Sequence, residues 1–473
     1  MDHPSAGHAG AGLLGPVGEG GRDVETPIWS PARLGVSSPV RGPAARPLDR
    51  RQTVDKVTVV AAQQQFRIYS EVEAFRQDMY RFLRLAANKG ARLVVFPELA
   101  GVALATSLMS GFGLGFLRAM EQGNEQGASW WARARSGLAA TAGKPFVGSL
   151  RSRLARLLER EPDRLRSLYE EVFSRAAREW GVTIVAGSAY LVDGGQRLNQ
   201  ALVFGPDGSL LGAQAKVHLH PGDEGLAQPA DDFRAIATPV ARVGVLFGTD
   251  ALYPEAGRIL ALQGADVFVC LAACPGRLLA QKVRQAFEAR VQENQIFGAI
   301  AFLVGRNHLQ PKEPAPEFVG RSAVLAPCEM TPRGTGVLVE LGTEQGPGIV
   351  AGTLDFDLLG QVQALSEVPV RRAMRIDVFA RHLPAFYQSG QALQEMARRA
   401  ALGAPAGPPE ALGLPEEAGA FALAAPPAAE KPTWPAEEEQ GPKEGTPPEE
   451  TPGEARGPEE PPPGGDWLDE GRR

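Results

Sequence analysis

The chain has 473 residues, 44% of them apolar and 22% charged, which is the composition of a globular protein with room for two or three domains. A net charge of -6 and three cysteines, an odd number without metal spacing, exclude a basic nucleic-acid footprint, a disulfide framework and a cysteine-based metal module. Prolines, 40 in all, gather towards the two ends, so composition predicts one large domain between two poorly ordered extensions.

Residues 1–53 are rich in Gly, Pro, Ala and Arg and carry no apolar period, which predicts a disordered extension. Met1-Asp2-His3-Pro4 lacks a basic start followed by an apolar run, so no secretory signal is expected and the cytoplasm is the expected compartment. Val57 to Gln63 reads as a strand. Val72, Phe75, Met79, Phe82, Leu83 and Ala86 then fall at helical spacing, and Lys89-Gly90 supplies a C-terminal stop. Ala91 to Phe96 is a second strand, closed by Pro97-Glu98-Leu99.

Residues 101–162 read as an insertion. Gly101 to Leu117 is uncharged and apolar but too short and glycine-rich for a membrane span. Arg151 to Arg166 sets six arginines against three acids with leucines between them. This pattern predicts a helical subdomain over a site mouth or an oligomer interface. Its sharper form is a membrane-surface or protein contact through 101–166. A helix is expected from about Asp163. Strands follow at Val182–Ser188, Leu198–Phe204, Ala241–Phe247, Ala265–Leu271 and Gly298–Val304, with helices at about Pro254–Leu262 and Leu278–Phe297. Alternating strands and helices imply an α/β domain over 54–390. Residues 391–473 are expected to form a short helix and then a disordered Pro/Glu-rich tail. From Glu410 to Arg473, 16 acidic residues stand against 5 basic ones, so the part before the tail is slightly basic.

Several segments carry a resemblance. Val94-Val95-Phe96-Pro97-Glu98, Ala215-Lys216-Val217-His218-Leu219, and Gly248-Thr249-Asp250-Ala251-Leu252-Tyr253-Pro254-Glu255 stand in that order. Glu288 to Asn294, Gly320 to Pro327 and Arg381 to Tyr387 follow. Together they resemble the nitrilase (carbon-nitrogen hydrolase) superfamily over about 54–105 and 165–390. The resemblance implies a four-layer αββα sandwich and a homodimer. It implies Glu98 as general base, Lys216 as oxyanion donor, and Glu224, eight residues after Lys216, as a second glutamate. No metal and no cofactor are implied.

At the position where the resemblance implies a nucleophilic cysteine, thirty-two residues after Lys216, the chain has Gly248. Glycine cannot form a covalent intermediate, and loss of a nucleophile from a concerted site removes on the order of a millionfold of rate. The expectation is therefore a catalytically impaired protein that binds a small amide- or nitrile-like molecule or a partner. The alternative is an active amidase or nitrilase with a relocated nucleophile, Cys274 or Thr249, or with a water activated by Glu98. His218 and His220 could suggest a metal, but no further Cys/His cluster supports one, and they read as loop residues.

Overall fold

The computed structural model describes residues 56–109, 150–309 and 316–401. It divides into two units, one running to Met374 and the other beginning at Arg375.

The first unit is built on two sheets. In the first, β1 (Lys56–Gln65), β2 (Ala91–Val95), β3 (Thr183–Asp193), β4 (Gln196–Phe204) and β5 (Leu210–Ala215) lie side by side in that order. The second runs β6 (Ile236–Ala237), β7 (Arg242–Phe247), β8 (Val267–Ala272), β9 (Phe297–Val304), β10 (Ala323–Leu325) and β11 (Val337–Glu340). A last strand, β12 (Gly348–Asp355), returns to pair antiparallel with β1 on its free edge. The sheets join where Gln64 and Gln65 pair with Leu303 and Val304.

Parallel neighbours need crossovers, and helices supply them. Between β1 and β2 runs α1 (Val72–Asn88), and between β2 and β3 run α2 (Ala100–Ala105), α3 (Leu150–Arg160) and α4 (Pro162–Trp180). In the other half, α5 (Pro254–Leu262) links β7 to β8, and α6 (Arg277–Asn294) links β8 to β9. Two short helices, α7 (Phe356–Leu365) and α8 (Val370–Ala373), close the unit.

The period of two along each strand makes the layers. Val57, Val59 and Ala61 of β1 pack with Val243, Val245 and Phe247 of β7 and Val267, Val269 and Leu271 of β8, filling the space between the sheets. Val60 and Ala62 turn the other way, to Phe75, Met79 and Phe82 of α1 and Tyr169 and Phe173 of α4. Leu246, Phe268 and Cys270 likewise leave the inter-sheet core and pack with Leu260 of α5 and Val283 and Phe287 of α6. Each fully buried side chain of this size contributes roughly 1.5–3 kcal/mol of transfer free energy. The result is a four-layer αββα sandwich, as the resemblance implies.

Some expectations change. β3 runs past Ser188 to Asp193 and pairs with β4 through a Gly194-Gly195 turn, both glycines at positive φ. That is the two-residue hairpin turn that matches strand twist. Residues 101–105 are core, although the sequence places them in an insertion. A Cβ on Gly101 would stand 2.7 Å from the Tyr169 ring, and Val102 and Leu104 are fully buried. Apolar character there marks packing against β3 and α4. Leu150, Leu154, Leu157 and Leu158 are the buried stripe of α3, with its arginines on other faces. Residues 110–149 of the expected insertion, residues 1–53 and the acidic tail lie outside the described residues. No helix among the described residues is long and apolar enough to cross a membrane.

The second unit contains α9 (Ile376–Ala401), with Pro384 inside it. It carries the Arg381–Tyr387 segment and extends the short helix expected from 391 toward the N-terminus.

Candidate active site

The site forms where β2, β5 and β8 end. After β2 the chain turns sharply at Leu99, whose φ of 64° is unusual for a bulky residue. The turn is held by Leu99 N donating to Ser188 Oγ at 2.9 Å. Gly187 stands beneath it at φ +71°, and a Cβ there would lie 2.4 Å from the Pro97 carbonyl oxygen. Only glycine tolerates both conditions. This backbone directs Glu98 inward, where the residue is 3% exposed.

Lys216, 2% exposed, follows β5. Its Nζ donates to Glu98 Oε1 at 2.7 Å and to Asp223 Oδ2 at 2.8 Å. Asn199 of β4 joins the same carboxylates, its Nδ2 donating to Glu98 Oε1 at 3.0 Å and to Asp223 Oδ1 at 3.3 Å. Tyr190 donates its hydroxyl to Asp223 Oδ1 at 2.7 Å, His220 N donates to Asp223 Oδ2 at 2.9 Å, and Ala273 N donates to Glu98 Oε2 at 3.1 Å. From α3, Arg151 donates through Nη1 to the Gly222 carbonyl at 2.7 Å and through Nη2 to the Glu224 carbonyl. The arginine of the expected insertion thus holds the turn that carries Asp223.

Burial and charge compete here. Burial pushes Glu98 up and the Lys216 ammonium pulls it back, and the outcome is a carboxyl near 7. Burial would lower Lys216, but Glu98 and Asp223 together outweigh it and raise the ammonium further. Asp223 is also opposed by burial, yet Lys216 and its hydrogen bonds bring it below the usual carboxylate range. The site therefore holds one firmly ionised pair and one carboxyl that can take or give a proton near neutrality.

The sequence reading names Glu98, Lys216, Glu224 and Gly248. The structure joins the first two, but the second carboxylate beside Lys216 is Asp223. Glu224 is exposed, and its contact with the site is a backbone carbonyl. The physical reason is the His220-capped turn at Pro221–Asp223, which aims residue 223 inward and residue 224 to solvent. Asn199 and Tyr190 were not singled out from sequence. An asparagine between Leu198 and Ala201 in a buried strand was the available signal.

Gly248 ends β7, its N donating to the Leu271 carbonyl at 2.9 Å, two residues before the Ala273 amide that binds Glu98. A Cβ on Gly248 would meet Ala272 at 3.6 Å and Val283 at 3.7 Å, both ordinary contacts. Its φ is not in the left-handed region, so the backbone does not require glycine. Asp250, fully buried, accepts from Phe247 N at 3.3 Å and His218 N at 2.8 Å and fixes the turn. Thr249 donates its hydroxyl to the His218 carbonyl, away from Glu98. Cys274 is 2% exposed, and burial, then the charge of Glu98, raises its thiol well above the ordinary range. Cys270, on the helix side of β8, is raised in the same way. Neither thiol is poised as a thiolate.

A cavity of about 30 Å³ touches Glu98, Tyr190, Lys216, His220, Asp223 and Asn307. By that measure a single water needs about 10–15 Å³, so a water fits with room to spare. A larger groove of about 560 Å³ opens at the start of α6, but its lining holds none of these residues. Among its charges Arg277 pairs with Glu344 at 2.8 Å and Arg284 with Glu288 at 2.6 Å. Among the described residues no group of three His, Cys, Asp or Glu side chains is placed to hold a metal.

The fold and site define the class first: an αββα sandwich with a buried acid-lysine cluster at its strand ends. The carbon-nitrogen hydrolase family model matches residues 56–364, and the chain belongs to that family. It is 36% identical over 152 residues to a nitrilase of Pyrococcus abyssi, covering 32% of this chain and 53% of that protein. The chain therefore spans about half the length of that relative. It is 26% identical over 223 residues to omega-amidase NIT2 of Xenopus tropicalis, covering 44% and 74%. A solved structure of a carbon-nitrogen hydrolase from Helicobacter pylori G27 matches with a TM-score of 0.50 at 18% identity, over 69% of this chain and 97% of that one. That likeness concerns the fold.

Proposed function

We propose that this carbon-nitrogen hydrolase family member binds a small amide- or nitrile-like molecule beside Glu98 and Lys216 and does not process it through a covalent thiol intermediate. Gly248 stands at the nucleophile position in this reading. The observation that carries it is the buried network of Glu98, Lys216, Asp223 and Asn199, with Cys270 and Cys274 buried as neutral thiols and the Thr249 hydroxyl bonded to the His218 carbonyl. The other half of the argument is steric. A side chain at 248 has room to start, so the missing thiol is a chemical and not a packing feature.

The test compares wild type with Gly248→Cys on a panel of small amides, reading ammonia release and intact mass after iodoacetamide. Only the variant is expected to carry an adduct at position 248 and to turn amides over. Rapid thiol-dependent turnover by the wild type would sink the reading.

A second reading has one observation in its favour. A water-sized cavity touches a carboxyl titrating near 7, the arrangement direct activation of water requires. It would show as slow ammonia release by the wild type, insensitive to iodoacetamide and abolished by Glu98→Gln. The same proposal includes a homodimer, supported by Tyr253, Ile259 and Leu262, which are 45%, 42% and 56% exposed on and before the helix that follows Gly248.

A further inference from the structure

Two side chains that line the cavity take no part in the charged network, His220 through its ring and Asn307 through its amide nitrogen. Their hydrogen bonds fix which atoms they can offer. Gly222 N lies 2.9 Å from His220 Nδ1. A backbone N–H can only donate, so Nδ1 is the lone-pair nitrogen and the ring proton sits on Nε2. Burial, and then the charge of Lys216, lower the His220 pKa from its usual value, so the ring is neutral at pH 7. The ring is held by the Gly222 N–H, and the backbone that carries it by His220 N donating to Asp223 Oδ2. Asn307, 5% exposed on the loop after β9, accepts Leu309 N on Oδ1 at 3.0 Å. That leaves Nδ2 as its free end.

The carboxylates complete the pattern. Asp223 accepts on Oδ1 from Tyr190 and Asn199 and on Oδ2 from Lys216 and His220 N, which saturates it. Glu98 Oε1 accepts twice, but among the described residues Oε2 accepts only from Ala273 N. One acceptor site on Glu98 thus remains, with two neutral donors from separate loops around the same cavity. When Glu98 is ionised, Glu98, Lys216 and Asp223 sum to one negative charge. A carboxylate entering here would meet that charge in a low-dielectric site, whereas a carboxamide offers an oxygen to the donors and an N–H to Glu98.

We infer that His220 is a specificity-determining residue, reading the carbonyl oxygen of an uncharged carboxamide through Nε2–H, with Asn307 as the second donor. This inference rests on the small-molecule binding proposed above.

Two substitutions separate recognition from loop structure. In His220→Asn the side-chain oxygen can still accept Gly222 N–H, but nothing reaches the place of Nε2. In His220→Gln the amide nitrogen reaches that place. Full-length protein labelled with nitrogen-15 would be titrated with acetamide, and separately with acetate, while the imidazole nitrogens are followed by NMR. The wild type should show the Nε2–H tautomer at pH 7, an Nε2 shift on adding acetamide and none with acetate. Loss of one neutral hydrogen bond corresponds to about tenfold weaker acetamide binding in His220→Asn, and His220→Gln should stay within about threefold. Acetamide binding by His220→Asn as tight as by wild type, or a proton found on Nδ1, overturns the role of His220 alone. A wild type that binds no acetamide at all removes the binding proposal and this inference together.

Discussion

Glu98→Gln isolates the energetic cost of the buried carboxyl. Glu98 moves from 4.5 to about 7 on folding, chiefly through burial. A carboxyl raised in the folded state favours folding most at low pH, where it is protonated in both states, and that advantage declines as pH rises through the folded pKa. Between pH 4.5 and 7 the native protein holds a proton that the unfolded chain has released. At 1.36 kcal/mol per pKa unit the loss over that window is on the order of 3 kcal/mol. This is a large share of a typical stability of roughly 5–15 kcal/mol. Glutamine keeps the shape and does not titrate. Urea unfolding of wild type and Glu98→Gln at half-unit steps from pH 4 to 8.5 therefore yields a difference curve. The variant should gain on the wild type by on the order of 3 kcal/mol across the window and stay level above it. Asp223, lowered in the folded state, acts in the opposite direction, and its contribution is lost as pH falls below about 4, outside the window. A flat difference curve, together with a carboxyl resonance for Glu98 titrating near 4.5, would refute the argument that burial dominates Lys216 at this site.

Asp223→Asn should cost about 3 kcal/mol or more, because it leaves a buried ammonium with one charged partner, while Glu224→Gln should change stability by less than about 0.5 kcal/mol. Urea midpoints of the two variants distinguish the assignments directly. Gly187→Ala should cost more than about 2 kcal/mol, through positive φ and collision with the Pro97 carbonyl, and should displace Glu98. Thermal unfolding reads the cost, and the carboxyl titration of Glu98 reads the displacement. If the exposed face beside Gly248 joins two copies, Ile259→Glu with Leu262→Glu should give a monomer in sedimentation where the wild type gives a dimer.

The layers were legible in the sequence because their cause is local. Valines alternating along β1 and β7, and the helical spacing of Phe75, Met79, Phe82 and Leu83, state which side each residue faces before any partner is known. Glu98 and Lys216 were legible because each sits in its own short motif. Asp223 was not. Residues 223 and 224 are adjacent acids, and the capped turn at His220 decides which enters the core, a matter of two hydrogen bonds that spacing does not encode. Residues 101–105 failed for a related reason. An uncharged stretch suits a surface insertion or a buried turn equally well, and the Tyr169 ring over Gly101 is a contact between residues sixty-eight positions apart.

The network and the glycine are energetically independent, and this limits what either implies about the other. Every hydrogen bond among Glu98, Lys216, Asp223, Asn199 and Tyr190 is made without an atom of residue 248. A glycine there takes no hydrogen-bond partner away from that set, whose one buried atom without a partner among the described residues is Asn199 Oδ1, and adding a Cβ meets only ordinary contacts. Packing therefore does not oppose a first side-chain carbon at residue 248. The charged cluster is different. Buried ion pairs seldom stabilise a fold beyond what apolar residues of the same size would supply, but once present, removal of one partner is costly. Asp223 and Lys216 are thus held in place by each other whatever the site does. Two acceptors of the cluster keep capacity that folding does not use: Asn199 Oδ1, buried without a partner among the described residues, and Glu98 Oε2, which accepts from Ala273 N in a carboxyl balanced near 7. A role for the pocket stands or falls on what bonds to those oxygens.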